Sequence, residues 1–356
     1  MSGGDSSRGG GSLVCEYYCE VGVRDRLVTA GTNRCPASAP PADLLLESIF
    51  EPFVLLRLPA EDRLKGMRFA PEVAMFAFPH GVRLVTPEVA AANAMPVVTS
   101  FVLTAADKSR MYGACIVWYE KLATETAASF VDGAVEQSAG ATSPPPDDAA
   151  RREAVSSMHA PEAICLLSRS PVFDALMECC RQLFRMKISG DGVLPETALA
   201  PLLSTPLPSF GQSCALPLGN ISVPVSVPAA NQLPHTMSGR DFLHLFQCLD
   251  VSNVMLIWAL LLAEQKVVLQ AKQPHILTMA AETLSALLFP FSWQHVYIPI
   301  LPARLLDILQ ASQSVARNPY RGASARPVSQ SAVTRPVRQS ARRDRCRPSY
   351  RRRCLS

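Results

Sequence analysis

Several side chains in this 356-residue chain are of types that can do chemistry, and their spacing decides which kind. His295 opens a β-branched stretch and could act as a general base. That role needs a nucleophile and an orienting acid, and the chain holds no nucleophile-elbow, phosphate-loop or dinucleotide motif that would supply them. The simpler reading is a histidine hydrogen-bonded beside a sheet. Glu264 ends an apolar run next to Lys266 and reads as a solvated or locally paired charge. Gly190-Asp191-Gly192 has two glycines but lacks the third that a phosphate cradle requires, so it reads as a loop. Residues 209–213, SFGQS, read as a turn. His80 sits in a Pro-His-Gly turn, and His159, His235, His244 and His275 have no partner close in sequence. Trp258 and Trp293 read as core or interface anchors. Cys15 and Cys19 stand apart from other ligand types, and Cys179 beside Cys180 falls on a helical pattern. The eleven cysteines are odd in number, scattered through apolar segments and outside any CxxC or HExxH pattern. They are expected to be buried reduced thiols with no structural metal. No catalytic, cofactor-binding or metal residue is therefore assigned, and no cofactor is expected.

The elements that must position these residues are clearest over 250–311. Residues 254–263 form a ten-residue uncharged run of helix type, and 266–270 is short and β-branched. Pro274 opens a second helix-length segment, and 295–299 is strand-like between turn signals. The order αβαβα is the grammar of a buried α/β layer. Upstream, 44–58 predicts a helix or turn entering a strand that Pro59 ends. Residues 73–78 and 82–85 bracket the turn at 79–81 as a hairpin, and 99–103 with 111–118 predict another. Pro171 stands at a helix start, with Phe173, Leu176, Met177, Cys180, Leu183 and Phe184 on one face. Ile221, Val223, Val225 and Val227 alternate as in an edge strand. Residues 237–249 predict a helix with Ser238 as N-cap and Phe242, Leu245, Phe246 and Leu249 as its stripe.

Composition bounds the class. Hydrophobic residues make up 48% and charged residues 18%, which is globular. The longest uncharged apolar run is half of the roughly 20 residues that span a bilayer. The N-terminal residues show no secretory pattern, so a cytoplasmic protein is expected. Residues 312–356 carry 12 Arg, no Lys and one acid, a net +11 within a chain of net +4, so the remainder carries −7. The Gly/Ser/Pro-rich residues 1–42, around one modest strand-like patch at 13–23, are expected to be disordered, 124–160 to be a low-complexity linker, and 312–356 an Arg-rich disordered tail.

Residues 262–268 (LAEQKVV), 287–291 (LLFPF) and 293–302 (WQHVYIPILP) resemble the central part of the DENN domain. Residues 71–85 and 99–122 are similar to that family's upstream segment. The resemblance implies an α/β fold in two lobes. A longin-like β-sheet lobe with helices would occupy 43–123, and an α/β sandwich lobe, incomplete at its C-terminal end, would occupy 161–311. It also implies a guanine nucleotide exchange factor for a Rab-family small GTPase in vesicle trafficking, with peripheral association on vesicle or endosomal membranes. Such a protein works without covalent chemistry. After residue 311 the family's further strands give way to the Arg-rich stretch, so the domain is expected to be truncated and its exchange activity impaired. Contact residues for the GTPase stay unassigned, because the matched motifs are core-forming. A noncatalytic Rab or adaptor-binding protein is one alternative. The other is binding of RNA or an acidic membrane by the tail, with Tyr320 and Tyr350 adding stacking.

Overall fold

The computed structural model describes residues 12–29, 46, 48–62, 69–105, 109–122, 157–190, 192, 194, 196–234, 241–271 and 273–306. Five strands form one antiparallel sheet: β1 (Tyr17–Thr29), β2 (Ile49–Leu58), β3 (Val97–Thr104), β4 (Arg110–Lys121) and β5 (His159–Ser168). Their spatial order is β2-β1-β5-β4-β3. Successive residues of a strand point to opposite faces, and here both faces are covered, which is why residues 17–23 of β1 and 160–167 of β5 are apolar but for one glutamate each. Tyr17, Cys19, Phe101, Cys115, Cys165 and Leu167 point to one face, where α1 (Val73–Ala77) and Ile300 cover them. Tyr18, Ala114, Ile116, Trp118, Ile164 and Leu166 point to the other. There they meet α3 (Phe173–Ser189), α4 (Glu196–Ser204) and the hairpin of β6 (Ser213–Leu218) with β7 (Ile221–Ser226). The short α2 (Pro87–Ala92) precedes β3.

Downstream lie α5 (Asp241–Cys248), α6 (Val251–Leu262) and α7 (Pro274–Ala286). They share a small core of Leu245, Val254, Ala280 and Leu284. The Asp250 carboxylate caps α6 by accepting from the Asn253 N–H at 2.8 Å. Pro274 opens α7, where its missing N–H costs nothing.

Mixed α/β architecture, the hairpin β3–β4, the apolar stripe of α3 and the alternation in β7 agree with the sequence reading. Four placements differ. Order begins well before Asp43: β1, inside the stretch expected to be disordered, lies between β2 and β5 and pairs with both. Residues 73–78 are not a hairpin arm. They form α1 and its C-cap, while 82 and 85 make only single bridges, Phe50↔Val82 and Val85↔His159. The turn between them needs Gly81, at φ +77°, where an added Cβ would stand 2.5 Å from Ile49 Cγ2. Residues 266–270 and 295–299 are not strands. A strand needs a neighbour to pair with, and among the described residues none runs alongside either segment. Finally, the two separate sheet-bearing units are not found: β5, expected to start the second lobe, closes the first sheet, and the only other described sheet is β6–β7. The proposed Ser238 cap lies outside the described residues.

Candidate interaction surfaces

The β3 edge of the sheet is covered rather than open, and the groups that cover it come from the downstream helices. Thr278, fully buried on α7, donates its hydroxyl to the Ser100 carbonyl of β3 at 2.5 Å. Thr104 at the end of β3 donates to the Tyr297 carbonyl at 2.7 Å. An edge strand leaves carbonyls unpaired, and the Thr278 hydroxyl satisfies one of them without a sixth strand, while Thr104 of β3 satisfies a carbonyl of the covering segment. Arg110 at the start of β4 donates to the Trp293 carbonyl at 2.9 Å, and its guanidinium lies 4.6 Å from the Tyr297 ring centroid. Tyr297 in turn donates its hydroxyl to Glu282 of α7 at 2.6 Å. Burial pushes the Glu282 carboxyl above its usual range, while the Tyr297 hydrogen bond and Arg110 pull the other way. Residues 273–300 are thus fastened to β3–β4 by side chains reaching backbone carbonyls. Tyr297→Phe is expected to cost about 1–2 kcal/mol, because the Glu282 carboxyl loses its donor in a desolvated place. Urea titration checks it: the midpoint should fall with the slope unchanged.

A second polar cluster sits where the sheet meets the last turn of α3. Glu20 of β1, Glu120 of β4 and Glu162 of β5 face one ammonium, Lys187. Lys187 Nζ is 3.0 Å from Glu20 Oε2 and 5.4 Å from the Trp118 ring centroid. The other Glu20 oxygen accepts from the Tyr18 hydroxyl. Burial first, then the adjacent negative charge of Glu120, raises the Glu162 pKa to about 7, against the pull of Lys187. Next to this cluster, a cleft of roughly 760 Å³ opens between the end of β2 and α4, lined largely by Leu56, Leu58, Leu194, Leu199 and Leu203.

The residues singled out from sequence are dispersed. His295 and Glu264 meet at the surface, Nε2 to Oε2 3.2 Å, rather than beside a sheet. Glu264 has φ +54°, in the turn that follows α6. Trp293 packs edge-on to His295 at 5.1 Å and donates to the Val296 carbonyl. Trp258 donates to the Leu287 carbonyl at 3.0 Å, tying α6 to the end of α7. His80 is exposed, His244 bonds Gln247 on α5, and His159 bridges to Val85 through its backbone. His235 and Asp191 lie outside the described residues. Six of the eight described cysteines are buried. Burial pushes the thiols of Cys15, Cys165 and Cys180 well up and that of Cys179 to about 12, so they stay protonated and are poor nucleophiles. Sequence reasoning missed both polar clusters. The available signal was one glutamate interrupting each of the apolar strands β1, β4 and β5.

The arrangement supplies joints between segments that lie far apart in the chain. The uDENN domain model matches residues 52–118 and the DENN (AEX-3) domain model matches residues 159–314. DENN domain-containing protein 2B of Homo sapiens is 33% identical over 155 residues, 42% of this chain and 13% of that protein. DENN domain-containing protein 1A of Xenopus laevis is 30% identical over 148 residues, 42% of this chain and 14% of that protein. DENN domain and WD repeat-containing protein SCD1 of Arabidopsis thaliana is 25% identical over 272 residues, 75% of this chain and 21% of that protein. The matched stretches thus span only a small part of these relatives. The two matched segments follow in family order and interleave in one sheet, β4 from the first pairing with β5 from the second. The chain belongs to the DENN domain family.

Proposed function

We propose that this chain is a non-covalent regulator of a Rab-family small GTPase, accelerating GDP release as an exchange factor at the cytoplasmic face of a trafficking membrane. Membership of the DENN family supports a Rab as partner. The observation that carries the reading is the joint between the matched segments: β4 pairs with β5, and α7 with residues 293–300 is fastened to β3–β4. A surface drawn from both segments is held in one body, as a protein that works by gripping requires. Exchange needs no nucleophile. It needs tighter binding to the nucleotide-free GTPase than to the GDP-bound form, so that binding energy loosens the nucleotide and its Mg²⁺.

The test is release of a fluorescent GDP analogue from a Rab panel, with pull-downs on nucleotide-free and GDP-loaded Rabs. Faster release from at least one Rab, with preference for its empty form, is expected. Equal binding to both forms without faster release would assign an adaptor instead, and no binding to any Rab would reject the reading altogether.

A further inference from the structure

On the sheet face that carries Tyr18, α3 packs mainly on β3, β4 and β5, which leaves the end of β2 to α4. Leu58 and Leu56 of β2 lie opposite Tyr18 and Glu20 of β1, so these four side chains project from the same face. Glu196, Leu199, Ala200 and Leu203 recur at spacings of three and four and stand along one side of α4. The two sets face each other without closing, and the cleft of roughly 760 Å³ remains between them. Leu194, Leu199 and Leu203 on the α4 side are buried, whereas Leu56 on the β2 side is 45% exposed. Water therefore wets an apolar concavity, and its volume is that of sites that take one small organic molecule.

The charge of the cleft narrows what that molecule must carry. Among the described residues, the ionisable side chains that line it are Tyr18, Glu20 and Glu196. The Tyr18 hydroxyl donates to Glu20 and brings no charge. Glu120 and Glu162 stand behind Glu20, and the ammonium that faces all three, Lys187, is held by Glu20 at 3.0 Å. Glu196 is exposed in the first turn of α4, where it already complements the positive end of that helix. A carboxylate head entering here would meet like charge, and an uncharged head would gain nothing from it. An ammonium head gains from the field of these carboxylates while its apolar body lies against the leucines.

We propose that the cleft between β2 and α4 is a binding site for one amphiphilic amine, an apolar body ending in a protonated nitrogen. The body lies along Leu56, Leu58, Leu199 and Leu203, and the ammonium sits where Glu20 and Glu196 stand. The site is separate from any grip on a GTPase and stands whether or not the chain releases nucleotide.

Isothermal titration calorimetry of the full chain with hexyl-, octyl- and decylammonium, decanoate and decanol tests this, each probe being kept below the concentration at which it forms micelles. The expected result is one decylammonium per chain, with affinity rising about three- to fourfold for each added methylene. Decanoate should bind at least about tenfold more weakly, with decanol between the two. Ala200→Trp introduces a ring into the cleft from an exposed position and should weaken decylammonium binding about tenfold or more. Glu196→Lys keeps the apolar lining and should narrow or reverse the preference for ammonium over carboxylate. Circular dichroism of both variants should match the wild type. If Ala200→Trp does not fold, Glu196→Lys locates the site by itself, since Glu196 faces solvent. Four results would each overturn the proposal: no saturable binding of decylammonium, uptake of many molecules per chain, decanoate bound as tightly as decylammonium, or a preference for ammonium that Glu196→Lys leaves unchanged. Unchanged binding by a folded Ala200→Trp would do the same.

Discussion

Replacing Glu162 with glutamine is expected to make the protein markedly more stable at pH 8 while leaving it nearly unchanged at pH 5. Glu162 shares the end of the sheet with Glu20 and Glu120, and Lys187 is the cation that faces them. Its pKa is raised from 4.5 to about 7, chiefly by burial and then by Glu120. The folded state therefore holds the proton more tightly than the unfolded chain. The corresponding stability is fully present below about pH 4.5 and is lost as pH rises towards 7, where folding keeps a carboxylate that would rather be solvated. A shift of that size corresponds to roughly 2–3 kcal/mol between the two ends of the window. Glutamine keeps the shape and a donor for Glu120 but cannot ionise, so the variant loses this slope. Glu282, raised by burial, slopes the same way, and His275, lowered by burial, slopes the opposite way. Both are present in both proteins, so the difference curve isolates Glu162. Urea unfolding at half-unit intervals from pH 5 to pH 8 measures it. Parallel curves for wild type and variant would mean that the cluster does not hold the proton.

What could be read from the sequence was local. The hairpin β3–β4 pairs residues close in the chain, the stripe of α3 repeats at three and four, and Pro274 marks the first turn of α7. Each signal lies within a window shorter than twenty residues. β1 was legible only as a strand-like patch over 13–23; its place in the sheet was hidden, because its surroundings are Gly- and Ser-rich and its partner is distant: Cys19 lies opposite Cys165. Residues 71–78 carry apolar side chains at spacings that suit one helical turn as well as a short strand, and the turn at Gly81 does not decide between them. Residues 266–270 and 295–299 have strand composition, but composition cannot report whether a neighbour is there to pair with. The polar clusters failed for a related reason. Glu20, Glu120 and Glu162 are each the single glutamate of their strand, and only the register Trp118↔Glu162 and Glu20↔Ile164 brings them together.

The same dependence on register governs the largest packing effect. Phe101 of β3 is fully buried opposite Gly113 of β4. Its ring lies over the glycine so closely that an added Cβ would stand 2.3 Å from Phe101 Cε2 and 2.4 Å from Cζ. On its other side the ring is 5.9 Å from that of Phe76 on α1, so it has little room to retreat. Phe101→Ala is expected to cost about 3–5 kcal/mol, the loss of a buried aromatic together with the cavity it leaves. Gly113→Ala is expected to cost about 1–3 kcal/mol for the opposite reason, because the ring must be pushed against α1. The decisive measurement is the double variant. With the ring gone, the alanine at 113 meets no clash and fills part of the cavity, so the pair should be less destabilised than the sum of the singles by about 1 kcal/mol or more. Additive losses in a urea-unfolding cycle would mean that the ring does not rest on Gly113, and with it would go the β3–β4 register that places Arg110 under Tyr297.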